Sequence, residues 1–217
     1  MTSEDVAKFL QEHPEFFEQH ADTLAEIFIP HPHGGRAIPI SERQILTLRE
    51  KSKRLEGKLR DIIQFGEEND AIGERMHRLT LALIAARDLA GVLNAAYLSL
   101  REDFAVPHVA LRLWRGGVGS ALGEFDPVSD ATREFAASLM QPYCTAHATV
   151  DTAGLFGEAG AHLRSFAYLP LRDGETFGLL ALGSEDGQRF YPEMGTLFLK
   201  RMGELIATTL LRHFGAG

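Results

Sequence analysis

Phe166-Ala167-Tyr168-Leu169-Pro170-Leu171-Arg172-Asp173-Gly174-Glu175-Thr176-Phe177-Gly178-Leu179-Leu180-Ala181-Leu182-Gly183-Ser184 is the stretch from which the fold is read. Two apolar runs, Phe166 to Leu171 and Phe177 to Ser184, flank Arg172-Asp173-Gly174-Glu175, and Asp-Gly between such runs marks a β-hairpin. Downstream, a loop with Gly187 leads to Pro192, which suits a first helical turn. A closing helix is predicted from there through about His213, with Met194, Leu197, Phe198, Met202, Leu205, Ile206 and Leu210 on one stripe. Upstream, Val109 to Trp114 alternates as a strand, with Val109, Leu111 and Leu113 on one face and Ala110, Arg112 and Trp114 on the other. Gly116-Gly117 predicts a turn and Ala121 to Phe125 a second strand. Ser129 or Asp130 starts a helix to about Met140, and Gln141 to Gly160 reads as loop with a short helix near Gly154 to Phe156. Before the first strand, Asp88 caps a helix from Leu89 to about Phe104 that buries Leu89, Val92, Leu93, Ala96 and Leu100, and Pro107 ends the helical regime. The order helix, strands, helix, hairpin, helix implies an α+β domain, with helices against one face of an antiparallel sheet.

Ahead of that domain, Ser41 to about Ala86 reads as one helix, roughly 65 to 70 Å long at about 1.5 Å per residue. Ser41-Glu42-Arg43-Gln44 has the form of a capping box, and Ile40 and Ile45 sit at the positions of a hydrophobic staple. Ile45, Leu48, Ser52, Leu55, Leu59 and Ile62 recur three and four apart, the heptad of a coiled-coil seam. The next step, to Phe65, is again three. That stammer overwinds the coil locally before the seam resumes as Asn69, Ile72, Met76, Leu79 and Leu83. Charged residues from Arg43 to Arg60 crowd the remaining faces. They read as the solvated outside of the coil, with docking of the acidic N-terminal helices or contact with nucleic-acid phosphate as alternatives. Gly57, Gly66 and Gly73 each cost a helix interior about 1 kcal/mol relative to alanine, marking places where the rod bends or another segment approaches.

Residues 1 to 30 predict short helices. Thr2 or Ser3 caps the first, carrying Val6, Phe9 and Leu10; Pro14 suits the first turn of the second, with Phe16 and Phe17; Leu24, Ile27 and Phe28 form a third apolar cluster. Pro30 to Arg36 is turn-rich. His31 and His33 there, with His13 and His20, are read as solvated residues around helix ends, since no cysteine or paired histidine-carboxylate spacing makes a metal site. The expected domains are therefore 1–40, 41–87 and 88–217. The chain has 217 residues, 45% hydrophobic and 24% charged, with a net charge of −8 that disfavours indiscriminate nucleic-acid binding. Its single cysteine, Cys144, fits a reducing compartment, and neither a leader-like N-terminus nor a run of about 18 apolar residues is present. Cytoplasmic location without membrane insertion is the expectation.

The run from Phe166 to Asp186, followed by Arg189-Phe190 and a terminal helix, resembles the closing half of a GAF domain. With Phe9-Leu10, His13-Pro-Glu-Phe-Phe17, Ile29-Pro-His-Pro32 and Ser41-Glu-Arg-Gln44, nearly the whole chain resembles the bacterial domain-of-unknown-function family 484. The resemblance implies a GAF-like antiparallel sheet flanked by helices behind an N-terminal helical and coiled-coil segment, and it implies no particular activity. GAF domains as a class bind varied small ligands, including cyclic nucleotides, tetrapyrroles and haem, and some sense redox state, so the fold is a poor guide to function. The Asn-Lys…Phe…Asp-Glu signature of the cyclic-nucleotide-binding members is missing. Pro142-Tyr143-Cys144 resembles a Pro-Tyr-Cys-Gly turn of the family, with Thr145 in place of the glycine, which resists positive φ.

Candidate ligand-binding residues follow from the face alternation and from that segment. Arg112 and Trp114 lie on what would be the pocket side, where a guanidinium could clamp a carboxylate or phosphate beside the indole. The competing reading pairs Arg112 internally, with Glu124 as a candidate partner and Trp114 as core. Tyr143 and Tyr168 join the same set, each with core packing as its alternative. Cys144 and His147, three apart, have the composition of a thiolate and its base, but nothing supplies an oriented third group or an oxyanion hole. No catalytic residue, metal ligand or cofactor is assigned. The leading functional reading is a non-catalytic homodimeric regulatory module, paired through the long helix, whose GAF-like domain binds a small, anionic ligand or a protein partner. The alternatives are a ligand-free interaction scaffold with a filled pocket and, as a minor one, a thiol-dependent redox enzyme using Cys144.

Overall fold

The hairpin centred on Gly174 forms the middle of a four-stranded antiparallel sheet, whose strands lie in the order β3 (His108–Leu113), β6 (Glu175–Ser184), β5 (Ser165–Asp173) and β4 (Tyr143–Thr145). The computed structural model describes residues 2–29, 38–115 and 121–214, leaving aside the side chains at 24, 25, 29, 38, 39 and 41. The expected turn at Gly116-Gly117, the loop from Pro30 to Arg36 and the capping side chain of Ser41 lie outside the described residues. The chain divides into two compact units, residues 1–67 and 68–217.

The first unit carries α1 (Ser3–Glu12), α2 (Glu15–Gln19), α3 (Ala21–Glu26), and the two-residue strands β1 (Phe28–Ile29) and β2 (Ile38–Pro39), which pair antiparallel. Thr2 caps α1 with a full capping box: the Asp5 amide donates to Thr2 Oγ1 at 3.2 Å and the Thr2 amide to Asp5 Oδ2 at 2.6 Å. Those donors hold the exposed Asp5 carboxyl below the usual carboxylate range, the Thr2 amide contributing most. The Phe16 ring meets Phe9 edge-on at 6.5 Å and Phe17 at 5.7 Å. From Ile40 begins α4 (Ile40–Ala85), a single helix of 46 residues.

The second unit contains the end of α4, then α5 (Leu89–Glu102), β3 (His108–Leu113), α6 (Asp130–Ser138), β4 (Tyr143–Thr145), α7 (Thr152–Phe156), β5 (Ser165–Asp173), β6 (Glu175–Ser184) and α8 (Leu197–Phe214). Asp88 caps α5, accepting from the Gly91 amide at 2.7 Å. Gly174 takes φ +71°, which lets β5 and β6 join across a single residue. Helices cover both faces of the sheet, not one. On the first face Leu111, Leu113, Leu169, Leu171, Leu180 and Leu182 form one apolar core with Leu79 and Leu83 of α4, Val92 and Leu100 of α5, and Met202, Ile206 and Leu210 of α8. On the second, Ala110, Phe166, Tyr168, Leu179 and Ala181 pack against Ala136 of α6 and Leu155 of α7. Burial on both faces explains why β5 and β6 read as nearly unbroken apolar runs.

Three expectations are corrected. Ala121 to Phe125 is not a strand: Gly123–Phe125 is a 3-10 turn, closed by the Phe125 amide on the Leu122 carbonyl at 3.0 Å, and the Phe125 ring packs edge-on to Phe214. Pro192 does not open the last helix. The Met194 amide turns back onto Tyr191 O at 3.0 Å, Gly195 follows, and α8 starts at Leu197. Tyr143 to Thr145 is a strand rather than a turn, with Thr145 extended opposite Phe166, so no positive φ is required of it.

Candidate functional site

Two features of the structure bear on function: the second face of the sheet and the exposed stripe of α4. The sheet places Arg112 and Trp114 beside Ala110 on that second face, as alternation required. Arg112 is half-buried and anchored from within by two bonds. Its Nη1 donates to Leu111 O and its Nη2 to Gly154 O of α7, both at 2.9 Å. Trp114 Nε1 donates to Thr176 O at 2.9 Å, and the Arg133 guanidinium lies over the indole at 5.9 Å. Tyr143 and Tyr168 are cross-strand partners, and Tyr168 is fully buried. Phe166 stacks beside Tyr168 at 6.0 Å with planes 6° apart, and Phe135 meets it edge-on at 5.2 Å. This face is thus an aromatic layer closed by α6 and α7. One polar atom in it is poorly satisfied: Tyr168 Oη is buried with no hydrogen bond of full geometry, although Thr149 stands beside it, and burial pushes its phenol up against the opposing pull of Thr149.

Glu124 is not bonded to Arg112. Its carboxylate bears on Tyr97, whose phenol is pushed up to about 12 by burial first and the Glu124 charge second. Cys144 belongs to the opposite, aliphatic core, where burial pushes its thiol up to about 11. His147 is exposed beyond the end of β4, its amide donating to Thr145 Oγ1 at 3.2 Å. The structure therefore brings together Arg112, Trp114, Tyr143 and Tyr168 on one face, and separates Cys144 and His147 from them and from each other.

The α4 stripe divides at the stammer. Before it, large apolar side chains stand in solvent: Leu48 is 64% exposed, Ile62 66% and Phe65 60%, with Ile45, Leu55 and Leu59 also exposed. After it, Leu79 and Leu83 are buried in the aliphatic core, and Met76 packs against it. The second half of the heptad is consequently used within the chain. A Cβ at Gly57, Gly66 or Gly73 would meet nothing within 4 Å among the described residues.

Sequence reasoning missed Arg75, Arg172 and Arg189. Arg75 falls in the long helix, Arg172 in the hairpin turn and Arg189 in the run that resembles a GAF domain, and no local pattern marks a role for any of them; the Nε atoms of Arg172 and Arg189 are buried without hydrogen-bond partners. Among the described residues no cluster of three metal-ligating side chains occurs, and no helix is long and apolar enough to cross a membrane.

A family model described as a protein of unknown function, DUF484, matches residues 1–214. A search of curated proteins finds no match. Among solved structures, the chain is similar to a GAF domain from Pseudomonas syringae pv. tomato assigned to a sensor histidine kinase, at 18% identity over 70% of this chain and 92% of that one, with a TM-score of 0.46. It is also similar to the free methionine-R-sulfoxide reductase of Neisseria meningitidis, at 15% identity over 67% of this chain and 92% of that one, TM-score 0.46. The GAF domain of the potassium sensor histidine kinase KdpD from Escherichia coli gives 19% identity over 64% and 93% of the two chains, TM-score 0.37.

Proposed function

The chain belongs to the DUF484 family, and we propose that it is a non-catalytic regulatory module that works as a homodimer, each copy carrying a GAF-like domain that engages a protein partner. The exposed stripe from Ile45 to Phe65 carries this reading. Six large apolar side chains, each roughly half to two-thirds exposed, stand to recover about 1 kcal/mol apiece on pairing. Two stripes together supply on the order of 10 kcal/mol, comparable with the association cost of about 4 to 15 kcal/mol. Such a dimer is concentration-dependent rather than permanent. Parallel pairing in register sets Lys51 of one copy, at a g position, opposite Glu56 of the other, at an e position, which favours that orientation.

For the GAF-like domain, the filled aromatic face supports an interaction scaffold: Arg112 gives two of its donors, and Trp114 its one, to carbonyls of their own chain. Thiol chemistry has no support in the placement of Cys144 and His147. A second reading, a small ligand on the Arg112 face, rests on the buried Tyr168 hydroxyl, which has only a poorly aligned contact with Thr149 and would be better satisfied by a ligand acceptor. Light scattering of Leu55→Asp/Leu59→Asp tests the dimer. The double variant is expected to be monomeric where the parent is dimeric; a variant as dimeric and as stable as the parent would refute pairing through this stripe. Mass spectrometry of the natively purified protein separates the two readings of the domain, since only the second predicts a retained small molecule released by Arg112→Met.

A further inference from the structure

A cleft on the aliphatic side of the sheet, wholly within residues 68–217, has no role in the reading above. It encloses about 480 Å³ between the end of α4, the Phe104 to Val106 loop and the segment from Arg189 to Met202. Ile72, Leu182, Phe190 and Met202 make its walls, and its polar lining is Asn69, Arg75 and Arg189, with no carboxylate. Among the described residues neither arginine is paired with a carboxylate. Arg189 Nη2 donates to Phe104 O at 2.6 Å and its guanidinium lies 5.8 Å from the Phe190 ring, but Nε is buried with no acceptor. Arg75 makes no ion pair among the described residues, whereas Arg78, three residues along the same helix, is paired with Asp103 at 2.9 Å.

A buried guanidinium donor without an acceptor is unfavourable, and that cost is removed if an anion occupies the site. The volume falls within the range of about 300 to 1,000 Å³ typical of small-molecule sites, and apolar walls with a few convergent polar groups are their usual lining. We propose that this cleft binds a small amphipathic carboxylate, its head held by Arg75 and Arg189 and its aliphatic or aromatic body lying against Ile72, Leu182, Phe190 and Met202. Carboxylate geometry suits the guanidinium fork, whereas an uncharged apolar molecule would leave the Arg189 donor unpaired. The proposal is independent of dimerisation and concerns the face of the sheet opposite Arg112.

Calorimetric titration of the full chain with decanoate, decanol and acetate tests it, with decanoate kept below micelle formation. Decanoate is expected to bind and raise the melting temperature, decanol to bind at least tenfold more weakly, and acetate to give no heat. Arg75→Gln, which removes no hydrogen bond or ion pair among the described residues, should weaken decanoate at least tenfold, and Arg189→Lys should weaken it while Arg112→Met leaves it unchanged. Equal binding of decanol, destabilisation by decanoate, undiminished binding to Arg75→Gln, or binding lost in Arg112→Met alone would each overturn the proposal.

Discussion

At the scale of single residues, burial decides what each polar group can do. Cys144 shows it most simply: its thiol, pushed up to about 11 by desolvation, is neutral and enclosed at ordinary pH. The folded value lies above the unfolded one, so the stabilisation is complete below about pH 9 and is lost as pH rises towards 11. Denaturation midpoints measured at pH 8 and pH 10.5 should fall less in Cys144→Ala than in the parent, and thiol reagents at pH 8 should label the parent only as it unfolds. Fast labelling of the native protein would contradict this placement. Arg112 makes the opposite case, a charge held by carbonyls. Arg112→Met frees Leu111 O and Gly154 O and should cost about 1 to 3 kcal/mol, read as a lowered melting temperature with no ligand added. An unchanged melting temperature would mean that these bonds contribute nothing to α7. The facing of Arg112 and Trp114 was legible from strand alternation alone. The bonds that satisfy them were not, because Gly154 and Thr176 lie far along the chain and no local pattern encodes such a contact.

At the scale of elements, α4 is one helix with two environments. Leu59 and Leu79 both lie on the seam, yet Leu59 is exposed and Leu79 is sealed in the aliphatic core. Leu79→Ala should therefore cost about 2 to 5 kcal/mol at any protein concentration. Leu59→Ala should instead abolish the rise of the urea midpoint with protein concentration that a dimer shows. If both substitutions behave alike, the division of the helix at the stammer is without energetic meaning. Periodicity could reveal the helix and its seam, but a heptad carries no mark of whether its partner is another chain or the chain's own sheet. The same limit explains β4 and the start of α8. Three residues after Pro142 are too few for alternation to register, and a proline two residues into a turn looks the same as one opening a helix.

At the scale of the whole molecule, two units share a continuous helix, with the boundary at Glu67 and Glu68 just past the stammer. The α+β order and the hairpin were legible because Asp173-Gly174 and the apolar stripes are local signals. The second covered face joins residues as far apart as Ala110 and Ala181, and the cleft joins Arg75 to Arg189, separations that only the packed structure brings together. What the module does rests on whether the exposed half of the stripe meets a second copy. The most direct measurement is oxidative cross-linking of Leu55→Cys in a Cys144→Ala background, with Gly57→Cys as control. Parallel, in-register pairing puts the Leu55 positions face to face and directs Gly57 outward, within and beyond the reach of a disulfide respectively. A covalent dimer at position 55 and little at 57 is the predicted result; none at 55, or equal yields at both, would contradict dimerisation through α4.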